Sequence, residues 1–139
     1  MNRFVLISLC LFVSIFAGCG NNLCSLRGKV VFSDDGTPLP CGKVMFDNEQ
    51  TRSQGKVNPD GTYMVGTLSD SDGIPAGTYK VSITVTYKPP ENTASNDMNV
   101  SQSESLIDAK YANSSTSGLT ITVDSKTKIF DIKVDRPNK

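Results

Sequence analysis

Between residues 79 and 88, apolar and polar side chains alternate without a break. Tyr79, Val81, Ile83, Val85 and Tyr87 fall on one side, and Lys80, Ser82, Thr84, Thr86 and Lys88 on the other. Successive side chains of an extended chain point to opposite faces, so this period of two describes a strand with one buried face. Six further segments repeat the pattern. Leu26, Gly28, Val30 and Phe32 alternate with Arg27, Lys29 and Val31, and Val44 and Phe46 with Lys43 and Met45. Residues 55–57 form a weaker example, and Tyr63 and Val65 recur at the same interval. Leu119, Ile121 and Val123 alternate with Thr120, Thr122 and Asp124, and Phe130, Ile132 and Val134 with Asp131, Lys133 and Asp135. No segment carries a sustained apolar stripe of period 3.6. The pattern predicts an all-β chain, a seven-stranded antiparallel β-sandwich whose apolar faces share one core.

The connections carry specific turn chemistry. Asp34-Asp35-Gly36-Thr37-Pro38 closes the first strand, and Asn58-Pro59-Asp60-Gly61 joins the third to the fourth. Proline presets φ at the first central turn position and glycine accepts positive φ after it. Residues 69–77 (SDSDGIPAG) make a longer connection. Residues 89–105 are polar, poor in aromatics and aperiodic, a composition that does not bury enough surface to offset its ordering, and they read as a mobile loop. Residues 106–113 (LIDAKYAN) follow, with room for one helical turn before the sixth strand.

The start of the chain is of a different kind. Met1-Asn2-Arg3 is basic, residues 4–17 are uncharged and almost wholly apolar, and Ala17-Gly18 precede Cys19. A basic start, a short apolar stretch and small residues at the end describe an export signal. Fourteen residues of helix span about 21 Å, short of a ~30 Å hydrocarbon core, so the segment is a poor membrane-spanning helix. The cysteine after Ala-Gly resembles the bacterial lipoprotein signal. That resemblance implies lipidation of Cys19 and cleavage before it, although Phe16 stands where leucine is more usual. The expected organisation is a signal peptide over 1–18, a lipidated tether over 19–25 and one domain over 26–136. Gly20, rather than an aspartate, follows the lipidated residue, which favours the outer membrane and a periplasm-facing domain. A diacylglyceride with an N-acyl chain exceeds the two lipid signals that stable anchoring needs.

Composition removes several classes of function. The chain has no histidine, so it has no Ser-His-Asp relay, Cys-His pair or histidine metal ligand. It has no tryptophan, the best stacking platform for sugars. Without Arg3, 13 basic side chains stand against 14 acidic ones, and none are clustered as nucleic-acid binding requires. Of four cysteines, Cys10 belongs to the signal and Cys19 to the anchor. Cys24 and Cys41 are left as a possible disulfide, closing a loop of about 18 residues worth roughly 3 kcal/mol, or as two thiols.

Other candidate sites are weak. Asp70-Ser71-Asp72-Gly73 opens like a calcium loop, but the twelfth position is Val81 where a bidentate glutamate is needed. Asp34, Asp35 and Asp60 offer turn carboxylates for an acid/base pair. Lys29 and Asp131 sit loosely as isopeptide partners. Tyr87 lies in phase with the core face, and Tyr111 is a possible surface ring with a polar tip. No metal or other cofactor is expected.

The run Gly28-Lys29-Val30-Val31-Phe32, followed by Asp35-Gly36-Thr37-Pro38-Leu39-Pro40 and Val44-Met45-Phe46, resembles the opening of carboxypeptidase regulatory-like, transthyretin-like domains. Pro59-Asp60-Gly61-Thr62-Tyr63 and Ile74-Pro75-Ala76-Gly77-Thr78-Tyr79-Lys80-Val81 continue the likeness. Ile107-Asp108-Ala109-Lys110-Tyr111 and Thr116-Ser117-Gly118-Leu119-Thr120 are similar to segments of small exported lipoproteins of planctomycete-like bacteria. The resemblance implies a prealbumin-like sandwich and brings no activity with it, because its shared residues belong to turns and core. The expected function is that of a non-catalytic, lipid-anchored envelope protein, an interaction or structural module. The alternative is a carbohydrate-binding module of the cell envelope.

Overall fold

The computed structural model describes residues 22–84 and 105–138. The expected signal peptide, Cys19, Tyr87 and nearly all of the 89–105 segment lie outside the described residues. Within them the chain is built of strands: β1 (Leu23–Cys24), β2 (Arg27–Phe32), β3 (Gly42–Asp47), β4 (Arg52–Val57), β5 (Thr62–Met64), β6 (Ile74–Pro75), β7 (Gly77–Thr84), β8 (Leu119–Val123) and β9 (Ile132–Val134). One turn of 3-10 helix, Ala109–Ala112, precedes β8. Among these residues no helix is long and apolar enough to cross a membrane.

Four strands make one sheet in the order β4-β3-β7-β8, three make another in the order β5-β2-β9, and β1 pairs with β6. The period-two faces meet between them. Val44, Phe46, Tyr79, Val81, Ile83, Ile121 and Val123 from the larger sheet join Val30, Phe32, Tyr63, Ile132 and Val134 from the smaller in one buried cluster. Phe46 reaches across to Tyr63 and Phe130, with ring centroids 6.2 Å and 6.4 Å apart. Over the described residues the segments read from their alternation contain strands that bury the expected apolar side chains, with Ser82 on the polar face of β7 buried as well.

Three expectations need correction. The described residues hold nine strands rather than seven, because the two-residue β1 and β6 pair as a small sheet of their own. The pairing is not antiparallel throughout, because β2 and β9 run parallel, with Val30 opposite Ile132 and Phe32 opposite Val134. Strands joined by tight turns are forced antiparallel, whereas the first and last long strands are joined only through the whole domain. Alternation fixes which face is buried and carries no information about direction. The tether over 19–25 also yields at its far end. Leu23 and Cys24 pair with Pro75 and Ile74, so the ordered domain begins before Leu26. Two residues are too few to show an alternation.

One close approach governs the smaller sheet. Gly28 of β2 stands opposite Tyr63 of β5. The Tyr63 hydroxyl passes over it to donate to the Phe130 carbonyl at the entry to β9. A Cβ on Gly28 would lie 1.9 Å from that carbonyl oxygen and 2.9 Å from the Tyr63 hydroxyl. Burial, with the nearby Asp131 charge, raises the Tyr63 pKa, so the phenol stays a neutral donor. Gly28→Ala is therefore expected to destabilise the domain by about 3 kcal/mol or more through overpacking against backbone. Tyr63→Phe removes only the hydrogen bond and leaves one acceptor short, a loss of about 1–2 kcal/mol. Urea unfolding of the two variants checks both the values and their order.

Candidate functional site

Most carboxylates of the described residues are committed to holding loops. Asp72 accepts from the backbone amides of Thr67 (2.6 Å), Leu68 (3.1 Å) and Ser69 (3.1 Å). These amides hold its pKa below the ordinary range, with that of Thr67 contributing most. Three N–H dipoles aimed at one carboxylate already compensate its charge, so the 70–73 segment is a turn closed by its own backbone and not a calcium loop. No group of three or more metal-ligating side chains occurs among the described residues.

The turn aspartates do not act as one site. Asp34 and Asp35 take up Arg136, whose Nε donates to Asp34 at 2.8 Å and whose second guanidinium nitrogen donates to Asp35 at 2.9 Å. The guanidinium also lies 3.8 Å from the centre of the Phe32 ring. The Thr37 hydroxyl, then its amide and Arg136, bring Asp35 down to about 2. Asp60 instead binds the hydroxyl and amide of Thr62, which lower its pKa. A proton-donating carboxyl needs a raised pKa, and the two resolved shifts here, at Asp35 and Asp60, are downward.

The 105–117 segment is fastened through Asp135. Its Oδ1 accepts from Ser33 at 2.5 Å, and its Oδ2 from Lys110 at 2.6 Å and from Tyr111 at 3.0 Å. Its carbonyl accepts from the Asp108 amide, and Asp108 caps the 3-10 turn through the Lys110 amide. Tyr111 is thereby buried in the core, at 5% exposure, and is not a surface ring. Asp131, the proposed isopeptide partner, accepts from the backbone amide of Lys29 at 2.9 Å. That contact ties the residue before β9 to the backbone of the central strand β2 and does not use the Lys29 ammonium. Cys24 is a buried free thiol on β1, so the bridge to Cys41 is not formed in the structure. Cys41 sits half-buried in the turn before β3.

The outer face of the four-stranded sheet carries exposed charge at Lys43, Lys56 and Lys80, while Ser82 on the same face of β7 is buried. At one end of this face opposite charges meet: Asp47 stands opposite Arg52 on β4 and Lys80 on β7, and Arg52 Nε approaches its carboxylate to 2.5 Å. At the other end Lys43 stands opposite Lys56 on β4 and Thr84 on β7. Among the described residues neither lysine makes an ion pair. Two hollows flank these ends. A cleft of about 670 Å³ adjoins Asp47 and Lys80, with Glu49, Gln50, Thr78 and Thr120 in its wall. A second, of about 500 Å³, has Lys43 and Lys56 in its wall together with Met64 and Asp70. Both lysines were visible in the sequence. Their opposition was not, because register across a hairpin depends on the length of its turn.

The Asp135 knot generates a pH dependence. Its hydrogen bonds to Lys110, Ser33 and Tyr111 bring its pKa down to about 2, against about 3.9 for an unfolded aspartate. The folded state prefers the ionised form, so its stabilisation is complete above about pH 4 and is lost as pH falls towards 2. Wild type is expected to melt above Asp135→Asn at pH 7, and the gap is expected to close between about pH 4 and 2. Thermal melts of both proteins across that range check it, and a gap that widens in acid contradicts it.

No family model, curated protein or solved structure matches this chain.

Proposed function

We propose that this chain is a non-catalytic, lipid-anchored envelope protein whose β-sandwich serves as a protein-interaction module. The observation that carries the reading is where its exposed apolar side chains lie. Three large hydrophobic residues are exposed among the described ones, and two lie four positions apart in the chain: Met64 at 48% and Leu68 at 84%. Met64 lines the 500 Å³ hollow, and Leu68 rides on the loop that contributes Asp70 to it. Loop hydrophobes at the rim of a hollow gain contact only when a partner covers them. Cys19, with the apolar stretch before it, supplies the anchor, and the transthyretin-like resemblance supplies a scaffold that carries binding surfaces without catalytic groups.

A carbohydrate-binding role is the second reading, favoured by the amide, hydroxyl and carboxylate groups around the 670 Å³ cleft. It predicts saturable binding of envelope glycan that Glu49→Ala and Thr120→Ala weaken.

Two measurements test the main reading. Metabolic labelling with palmitate is expected to mark the wild-type chain, and Cys19→Ser is expected to lose both the label and membrane association. Cross-linking in intact cells, read by mass spectrometry, is expected to join one partner protein reproducibly through Lys43 or Lys56. Links spread evenly over Lys43, Lys80, Lys110 and Lys133 to unrelated neighbours would overturn the module reading.

A further inference from the structure

On the outer face of the four-stranded sheet, charge is arranged in two opposite ways. At the Asp47 rung each cross-strand neighbour is a cation facing an anion, as a sheet optimised for stability would have it. At the Lys43 rung two lysines stand opposite each other in register, and the third residue of the rung is the uncharged Thr84. Like charges in register oppose folding. Elsewhere Arg52, Lys110 and Arg136 each lie against a carboxylate at 2.5–2.9 Å. Among the described cross-strand pairs only Lys43–Lys56 sets two like charges opposite each other, and that rung lies in the wall of the 500 Å³ hollow.

The other groups around that hollow narrow the ligand. Gln54 and Asn58 offer side-chain amides, with Asn58 giving one N–H to the Thr62 hydroxyl. Met64 offers a flexible apolar side chain, a type suited to contact with varied protein surfaces. Among the described residues no aromatic ring lines the hollow. Among the described residues of the wall Asp70 is the one carboxylate against the two lysines. Leu68, on the loop that contributes Asp70 and Ser71 to the wall, is exposed.

We infer that the hollow between Lys43, Lys56, Met64 and the 67–73 loop is the docking site for an acidic protein segment that carries an apolar side chain. Carboxylates of the segment neutralise the Lys43–Lys56 pair, and the apolar residue covers Met64 and Leu68. This inference rests on the interaction-module reading and names the chemistry of the partner. An arrangement that costs stability in the free protein and is relieved in the complex follows the usual trade between stability and function.

The test uses the full chain in detergent micelles, with a synthetic twelve-residue peptide of aspartates and glutamates around a central leucine. A peptide with lysines in place of the acids and an oligogalacturonate of similar charge serve as comparisons. The acidic peptide is expected to bind with an affinity that falls as salt rises. Lys43→Gln and Lys56→Gln are each expected to weaken it by about tenfold and Leu68→Gln by several-fold, while Lys80→Gln on the same sheet face leaves it unchanged. Lys56→Glu is expected to melt above wild type, because it turns a repulsive pair into an attractive one, and to lose peptide binding. Failure of the acidic peptide to bind, equal binding of the basic peptide, or equal weakening by Lys80→Gln would overturn the site. Tighter binding of oligogalacturonate would overturn the protein segment in favour of an acidic glycan. The cellular cross-linking result stands apart from each of these outcomes and reports on the module reading alone.

Discussion

The smaller sheet depends on a place where a side chain is missing. β2 is paired on one side with β5 and on the other with β9, and both neighbours close in at Gly28. The absence of a Cβ lets the Phe130 carbonyl approach the β2 backbone and lets the Tyr63 phenol lie across it to bond that carbonyl. An aromatic side chain opposite a strand glycine restores the surface the glycine lacks. Tyr63 then carries the contact onward, because Phe46 of the opposite sheet packs near it. One glycine, one phenol and one carbonyl thus couple strand pairing within a sheet to packing between sheets.

A second set of constraints lies at the chain's return to β2. Asp135 and Arg136 follow β9 directly. The first fastens the 105–117 segment and Ser33, and the second gathers Asp34, Asp35 and the ring of Phe32. Both residues are partly exposed, so water screens each pair and the contributions are modest singly. Their geometry matters more than their strength: they settle where the parallel strand stops and hold the first turn against it. The aspartates that looked like candidate sites in the sequence are the means by which the loops are held. On the outer face of the larger sheet Arg52 is likewise held by Asp47, while Lys43 and Lys56 stand opposite each other.

The strands were legible because alternation is a local property. Tyr79, Val81 and Ile83 could be assigned to a buried face from their spacing, and the turns at Gly36 and Gly61 from residues that tolerate positive φ. The β1–β6 pair was illegible because two-residue strands show no period, and Leu23-Cys24 is a strand only where Ile74-Pro75 lies beside it. Tyr111 had no readable position, since its burial follows from the Asp135 carboxylate that receives its hydroxyl. The Lys43–Lys56 opposition needed the register of a hairpin, which neither lysine encodes alone.

The sequence by itself determined that the chain is all-β, which faces of its strands are buried, where its turns fall and which histidine-dependent chemistries it lacks. These follow from residue type and from spacing of a few positions along the chain. The tertiary structure decided the parallel pairing of β2 with β9, the use of Asp72 and Asp135 as loop fasteners, and the facing of two lysines across a hairpin. Each of these is a relation between residues brought together only when the sheets close on a common core. Local pattern sets what a segment buries, and long-range packing sets what it meets.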